Sequence, residues 1–219
     1  MKKTKLNLFA LVSVSILSAL ASVLMFFSIS IPLVPSFLKL DLSELPALIA
    51  AFTISPLAGV LVCLVKNMVN VFFTTTGGIG ELINFILGSA FVLPAGIIYH
   101  RFKSRPGALL GGIVGAFCMS LVSLPLNYYI IYPVYSKIFA PLDVILSLYQ
   151  KIRPSTGSLL EALVVFNMPF TFVKALISVI ISFAVYKPLS PIINGCFVIN
   201  RKGVHIDREC PTGTKNKYS

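Results

Sequence analysis

Long uncharged segments constrain this chain more than any other feature of its sequence. Residues 6–38 and 106–136 carry no charged side chain, and residues 45–80 carry only Lys66. A helix needs about 20 mostly apolar residues to cross a bilayer, and each segment is long enough to supply one. Of all residues, 57% are hydrophobic and 11% are charged, whereas a soluble domain has about 25% charged residues. The sequence therefore predicts an integral membrane protein rather than a soluble enzyme, a disordered chain or a disulfide-rich secreted domain.

The fold that we predict is an all-α bundle of six transmembrane helices. Breaks between helices come from Pro- and Gly-containing segments and from short polar loops. The predicted helices cover about residues 7–29, 45–54, 56–74, 82–99, 106 to near Asn127, and 163–186. A long mixed connection is predicted at about 131–160. We assign residues 1–188 to the bundle and residues 189–219 to a polar, basic and flexible tail.

The distribution of Lys and Arg predicts the orientation of the bundle. With six spans both termini lie on one side, which holds 12 of the 18 Lys and Arg residues, whereas the other side holds four. Basic residues concentrate at cytoplasmic membrane edges, so both termini are predicted to be cytoplasmic. The formal net charge of +11 would suggest nucleic acid in a soluble protein. Here we expect contact with membrane lipid and no nucleic acid partner.

Two lysines lie within the predicted helices, and a charge at membrane depth is a candidate functional group because it is costly there. Lys174 occupies the middle of the sixth predicted helix. It can serve a site, snorkel to an interface or pair within the bundle. Lys66 is followed by Asn67, and Asn70 lies on nearly the same helix face. These groups can serve a site or hydrogen-bond between helices.

The connection before the second helix alternates polar and apolar residues. Lys39, Asp41 and Ser43 alternate with leucines, so in an extended segment the two kinds of side chain point to opposite faces. Such a segment can close a pocket with its apolar side inward. Alternatively, Asp41 or Ser43 begins the short helix as its cap.

Two further candidate regions lie at predicted helix ends. Residues 77–84 read GGIGELIN. The glycines predict a turn whose backbone, with Glu81 and Asn84, can bind a polar ligand edge, although Glu81 also suits a helix start. The segment lacks the Lys and Ser/Thr of a nucleotide-binding loop. Asn127 closes the fifth span and is a weaker candidate by itself.

The first helix carries small residues at four-residue spacing. Ser15 and Ala19 form one row, and Ser18 and Ser22 form the next. Rows of small residues let another helix approach closely. They predict either a docking face for a partner membrane protein or internal packing of this bundle.

Several of these residues together resemble a known family. Residues 39–48 read KLDLSELPAL, which resembles the K-x-D-x-S-D/E-x-P-A-L signature of riboflavin-specific S components of energy-coupling-factor (ECF) transporters. The resemblance covers about residues 6–188 and continues in the same order through PLAGV at 56–60, LVKN at 64–67, GGIGELINFILG at 77–88, LNY at 126–128, and PF at 169–170 with Lys174.

The resemblance implies a subunit of the bacterial cell membrane that captures riboflavin outside with high affinity. It implies two kinds of partner, a transmembrane coupling protein and two cytosolic ATPases, and the family is thought to topple in the membrane to deliver its ligand. Riboflavin is then the transported substrate, and no cofactor or metal is expected. The resemblance assigns substrate binding to Lys39, Leu40, Asp41, Glu81, Asn84, Asn127 and Lys174, and partner docking to Ser15 and Ala19.

Three other functions remain as alternatives. An S component for thiamine or biotin would share the fold. A small intramembrane enzyme is disfavoured because the spans contain no HExxH, GxSxG or aspartyl pair. A passive channel or structural membrane protein would bind no ligand saturably and would not depend on coupling subunits.

Overall fold

The computed structural model describes residues 8–30, 39–74, 77–138, 141–193, 197–200 and 203–206. These residues are almost entirely helical, as predicted. The α-helices are α1 (Leu8–Phe26), α2 (Glu44–Thr53), α3 (Pro56–Val71), α4 (Ile79–Phe102), α5 (Arg105–Leu126), α6 (Tyr132–Ile138), α7 (Leu142–Ile152), α8 (Leu159–Ala162) and α9 (Met168–Ile193). Two π-helical segments, which we call π1 (Asn127–Ile131) and π2 (Leu163–Asn167), continue α5 into α6 and α8 into α9.

Three of the helical segments in the described part of the chain are long and apolar enough to cross a membrane. They are Ile79–Phe102, Arg105–Lys137 and Leu159–Ala184. The shorter apolar helices are Ala10–Phe26, Glu44–Thr53 and Pro56–Val71. The hydropathy pattern therefore located the helices, and their bounds lie close to those predicted.

The sequence did not predict the short strands or the helices between α5 and α9. Strand β1 (Ile29–Ser30) pairs antiparallel with β2 (Lys39–Leu40), and β3 (Phe197–Asn200) pairs with β4 (Gly203–Ile206). The expected mixed connection at 131–160 is largely helical, which corrects that prediction. Its helix α7 buries Ile145 and Tyr149 on one face, and these residues pack beneath α6 and π2. The tail beyond β4 lies outside the described residues.

Small residues allow the central helices to approach closely. A Cβ atom on Gly111 would lie 2.6 Å from the Ala95 backbone oxygen, so α5 packs against α4 at a distance that only glycine permits. Buried side chains form two clusters. The larger joins α1–α5 and α9, and the smaller joins the start of α4 to π1, α6, α7, α8 and π2.

Candidate binding cavity

A cavity of about 310 Å³ lies where the two buried clusters meet. Its wall comes from the end of α1, the segment before α2 and the start of α4. The rest comes from α5 with π1 and α6, and from the end of π2 with the start of α9. The apolar wall residues are Met25, Ile83, Leu87, Met119, Ile131 and Phe170. The polar ones are Asp41, Glu81, Asn84, Asn127, Tyr132, Tyr135, Asn167, Thr171 and Lys174. Small-molecule sites commonly have about 300–1,000 Å³ and combine apolar walls with a few placed polar groups.

The structure brings together five of the seven residues that the sequence assigned to substrate binding. Asp41, Glu81, Asn84, Asn127 and Lys174 all line this one cavity, although they come from four separate parts of the chain. Leu40 is half-buried and is not among the described wall residues. The Lys39 side chain lies outside the described part of the structure.

Lys174 is held by two carboxylates. Its Nζ lies 2.8 Å from Asp41 Oδ2 and 3.6 Å from Glu44 Oε2. The side chains of Lys174 and Asp41 are 10% and 11% exposed. This pair joins the segment before α2 to α9, 133 residues further along the chain. The charge of Lys174 is therefore balanced inside the bundle while the residue still faces the cavity.

A second ion pair lies behind the first. Lys66 is fully buried, and its Nζ lies 3.0 Å from Glu44 Oε1. Ser43 connects the two pairs, because its Oγ accepts from Lys66 Nζ at 2.6 Å and donates to Asp41 Oδ1 at 2.5 Å. Two cations and two anions thus share one hydrogen-bonded cluster, as buried charges require. We call these four charged residues and Ser43 the charge cluster.

The charge cluster reverses the predicted orientation of the segment before α2. The apolar side was expected to face inward, but Asp41 is 9% exposed and Ser43 is fully buried, whereas Leu40 and Leu42 are only partly buried. The expectation was wrong because the two lysines attract the polar face. Burial acts to raise the pKa of Asp41, yet the neighbouring Lys174 and Lys66 hold that pKa below its usual range. Ser43 does stand at the helix cap position, but its side chain makes no capping hydrogen bond.

A second set of hydrogen-bonded polar side chains joins α3, and the turn after it, to the start of α4. Asn84 Nδ2 donates to Asn67 Oδ1 at 3.1 Å, and Asn70 Nδ2 donates to Glu81 Oε1 at 3.2 Å. Thr74 Oγ1 donates to Glu81 Oε2 at 2.7 Å. The interhelical interpretation of Asn67 and Asn70 is therefore the correct one. Their effect on the cavity is indirect, because they fix the two side chains that α4 places in its wall.

The glycines before α4 form the turn that the sequence predicted. Gly77 and Gly78 have φ values of 65° and 88°, a region that residues with a Cβ adopt at a cost. Gly78 is the N-cap residue of α4. The turn thereby starts α4 at a point that puts Gly80, Glu81 and Asn84 in the cavity wall.

Each π-helical segment places one asparagine in the wall. Asn127 begins π1, and its Nδ2 donates to Ser123 O at 2.6 Å. Asn167 ends π2 and is 4% exposed. Asn167 is not among the residues predicted from the sequence. Its spacing from Thr171 and Lys174, four and seven residues along one helix face, is the signal that could have found it.

The comparisons with known proteins agree with this geometry. The family described as "ECF transporter, substrate-specific component" matches residues 9–189. The chain belongs to this family. It is therefore an S component, a membrane-embedded part of a transporter and not an enzyme.

Similar proteins include named riboflavin transporters and a solved S component. The riboflavin transporter RibU of Staphylococcus aureus is 34% identical over 82% of this chain and 89% of its own length. The riboflavin transporter FmnP of Bacillus subtilis is 30% identical over 83% of this chain and 92% of its own length. A solved structure described as "Structure and mechanism of the S component of a bacterial ECF transporter" has a TM-score of 0.67 and 32% identity, over 84% of this chain and 96% of that chain.

The two small-residue rows of this S component face different surroundings. Ser18 and Ser22 are 2% and 8% exposed and pack inside the bundle. Ser15 and Ala19 are exposed on the outer face of α1. Ser18 and Ser22 therefore serve internal packing. The exposed row of Ser15 and Ala19 remains available to a partner.

Proposed function

We propose that this S component captures riboflavin from outside the cell and imports it as part of an ECF transporter. The observation that carries the proposal is the mixed wall of the 310 Å³ cavity, in which amides and charged groups alternate with apolar side chains. The riboflavin transporters named above, at 30–34% identity, favour riboflavin over thiamine or biotin.

The chemistry of the cavity suits riboflavin. The isoalloxazine ring is flat, with an apolar benzenoid end and an imide edge that has both donors and acceptors, and the ribityl chain offers hydroxyls. Phe170, Met119 and Leu87 supply apolar surface for the ring. Asn127, Glu81 and Asn84 supply polar partners. We assign substrate binding to the wall residues Asp41, Glu81, Asn84, Asn127 and Lys174, and closure over the ligand to Lys39 and Leu40.

The proposed topology places the cavity at the external face. Six spans, α1–α5 and α9, put both termini in the cytoplasm, in accordance with the excess of Lys and Arg on that side. The cavity then lies at the external ends of α1, α4 and α5. This orientation, in the bacterial plasma membrane, exposes the cavity to extracellular vitamin.

Energy for import comes from separate subunits in this proposal. Ser15 and Ala19 form an exposed row on α1, which can seat a helix of a transmembrane coupling protein. Two cytosolic ATPases complete the transporter. The S component itself then only needs to bind, move and release its ligand.

Uptake in cells tests this proposal. Cells that lack their own riboflavin importer are given this chain, with or without a coupling protein and its two ATPases, and labelled riboflavin is measured inside. We expect saturable uptake only with the complete set. Uptake by the chain alone at the same rate, or no uptake with a complete set that co-purifies with the chain, would refute it.

A further inference from the structure

One polar atom in the cavity wall, Asn167 Nδ2, makes no hydrogen bond of normal geometry. In the part of the chain that the structure describes, five buried side-chain atoms lack a hydrogen bond: four hydroxyls, on Ser18, Ser89, Thr156 and Ser182, and Asn167 Nδ2. Among these five residues only Asn167 lines the cavity. Buried amides are normally hydrogen-bonded because an unpaired donor is costly. An unpaired donor at a cavity wall therefore indicates a position where a bound molecule supplies the acceptor.

The surroundings of Asn167 leave this donor available. Its Oδ1 accepts from Thr171 Oγ1 at 3.4 Å, which leaves Nδ2 as the free end of the amide. The hydroxyl of Tyr132 interacts with the Asn167 amide and is also hydrogen-bonded to Tyr149. The contact with Asn167 falls outside normal hydrogen-bond geometry, so Nδ2 can still donate to a bound molecule.

The backbone at Asn167 also departs from regular α-helix. Asn167 is the last residue of π2, and single π-helical turns inside α-helices occur often at functional sites. Phe170 follows three residues later, near the same helix face, and also lines the cavity. Asn167 is thus placed beside an aromatic surface on which a flat ring can pack.

We propose that Asn167 is a specificity-determining residue, whose Nδ2 donates a hydrogen bond to a carbonyl oxygen of the bound flavin ring. This inference rests on the riboflavin function proposed above. The carbonyls of the ring's imide edge are planar acceptors without a proton to donate, so they match an amide N–H. A ligand that lacks a carbonyl at this place leaves the donor unpaired and is rejected.

Binding and stability together test this role. Asn167→Leu keeps the branched shape and the number of side-chain heavy atoms, and it removes the donor together with the Oδ1 that accepts from Thr171. It is compared with Ser182→Ala, which changes another buried and unpaired polar residue on α9, away from the cavity. Full-length, flavin-free protein in detergent is titrated with riboflavin and with lumiflavin, which has the same ring but no ribityl chain. The melting temperature of each variant is measured without ligand.

We expect Asn167→Leu to raise the dissociation constants for riboflavin and lumiflavin by the same factor, about tenfold. Its melting temperature without ligand should change little, because the buried unsatisfied donor and the long Thr171 hydrogen bond of 3.4 Å are removed together. Ser182→Ala should leave both dissociation constants unchanged. If Asn167→Leu does not fold, Asn167→Ala serves in its place with the same expectation for binding.

Three results would overturn the inference. The first is unchanged riboflavin binding in Asn167→Leu. The second is weaker binding of riboflavin but not of lumiflavin. The third is a lower melting temperature without ligand, combined with unchanged affinity. The second would assign Asn167 to the ribityl chain, and the third would make it a structural residue. Failure of the unchanged protein to bind riboflavin would instead refute the proposed function and this inference with it.

Discussion

Replacement of Asp41 by Asn removes the anion that faces Lys174 and retains the shape of the side chain. The Asn Oδ1 can still accept from Ser43 N, as Asp41 Oδ1 does at 3.0 Å. What changes is the charge balance, since Lys174 Nζ loses its carboxylate at 2.8 Å and keeps only Glu44 at 3.6 Å. Loss of one partner of a buried pair costs about 3–5 kcal/mol. Because Glu44 remains near, we expect a loss at the low end, about 3 kcal/mol.

A double-mutant cycle separates the ion pair from general damage. Lys174→Met alone leaves two carboxylates with one lysine, so we expect a similar loss of about 3 kcal/mol. The double variant Asp41→Asn/Lys174→Met restores a neutral cluster and should come within about 1 kcal/mol of the unchanged protein. Unfolding free energies are measured by SDS titration in mixed micelles with circular dichroism. Asp143→Asn, which alters an exposed acid on α7, is the control and should change little. Additive losses in the double variant would refute the reasoning.

The pH dependence gives a second check on the same pair. Because the lysines hold the pKa of Asp41 below its usual range, the pair stabilises the folded state above the unfolded pKa and is lost as the pH falls towards the folded one. The deficit of Asp41→Asn should therefore stay constant from about pH 8 to about pH 5 and shrink below about pH 4. A deficit that already shrinks between pH 7 and pH 5 would contradict an ionised, paired Asp41.

Two further predictions concern the ligand and the partner. Asn127→Ala should raise the riboflavin dissociation constant about tenfold, because its Nδ2 is bonded to Ser123 and its Oδ1 remains to face the ligand; equal fluorescence titration curves for the two proteins would sink this assignment. Ala19→Trp should block co-purification with the coupling protein and leave riboflavin binding intact. Leu109→Trp, on an exposed position of α5, is the control and should change neither co-purification nor riboflavin binding. Normal co-purification of Ala19→Trp would remove the docking role from this row.

Much of the fold could be predicted because the bilayer imposes a simple rule on the sequence. Uncharged length located α1–α5 and α9, and the breakers at Pro56 and at Gly77 and Gly78 located their ends. The π-helical segments could not be predicted, since one extra residue in a helical turn leaves no mark on an apolar run. Helix α7 was missed because its 11 residues are too few to span a bilayer, so a search for long uncharged segments passes over it. It buries Ile145 and Tyr149, while Asp143 and Lys151 are exposed, as in an amphipathic helix.

The cavity was found through residues whose cost in a membrane is visible in the sequence. Lys174 stood out as a charge at membrane depth, and the glycine turn indicated Glu81 and Asn84. Asp41 came from the alternating segment before α2, and Asn127 was a weak candidate until the resemblance supported it. The pairing within the charge cluster was not visible, because Lys66 lies 22 residues from Glu44 and Lys174 lies 133 from Asp41. The inward orientation of Asp41 follows from those distant partners and not from local alternation. Asn167 was missed because an uncharged side chain inside an apolar run attracts no notice.

Direct ligand binding by the purified chain tests the central claim most simply. Flavin-free protein in detergent is titrated with riboflavin while flavin fluorescence is recorded, and thiamine and biotin are then offered as competitors. The account predicts saturable quenching at one riboflavin per chain, with no displacement by either competitor. A protein that leaves riboflavin fluorescence unchanged, or that releases riboflavin to thiamine or biotin, would contradict the account.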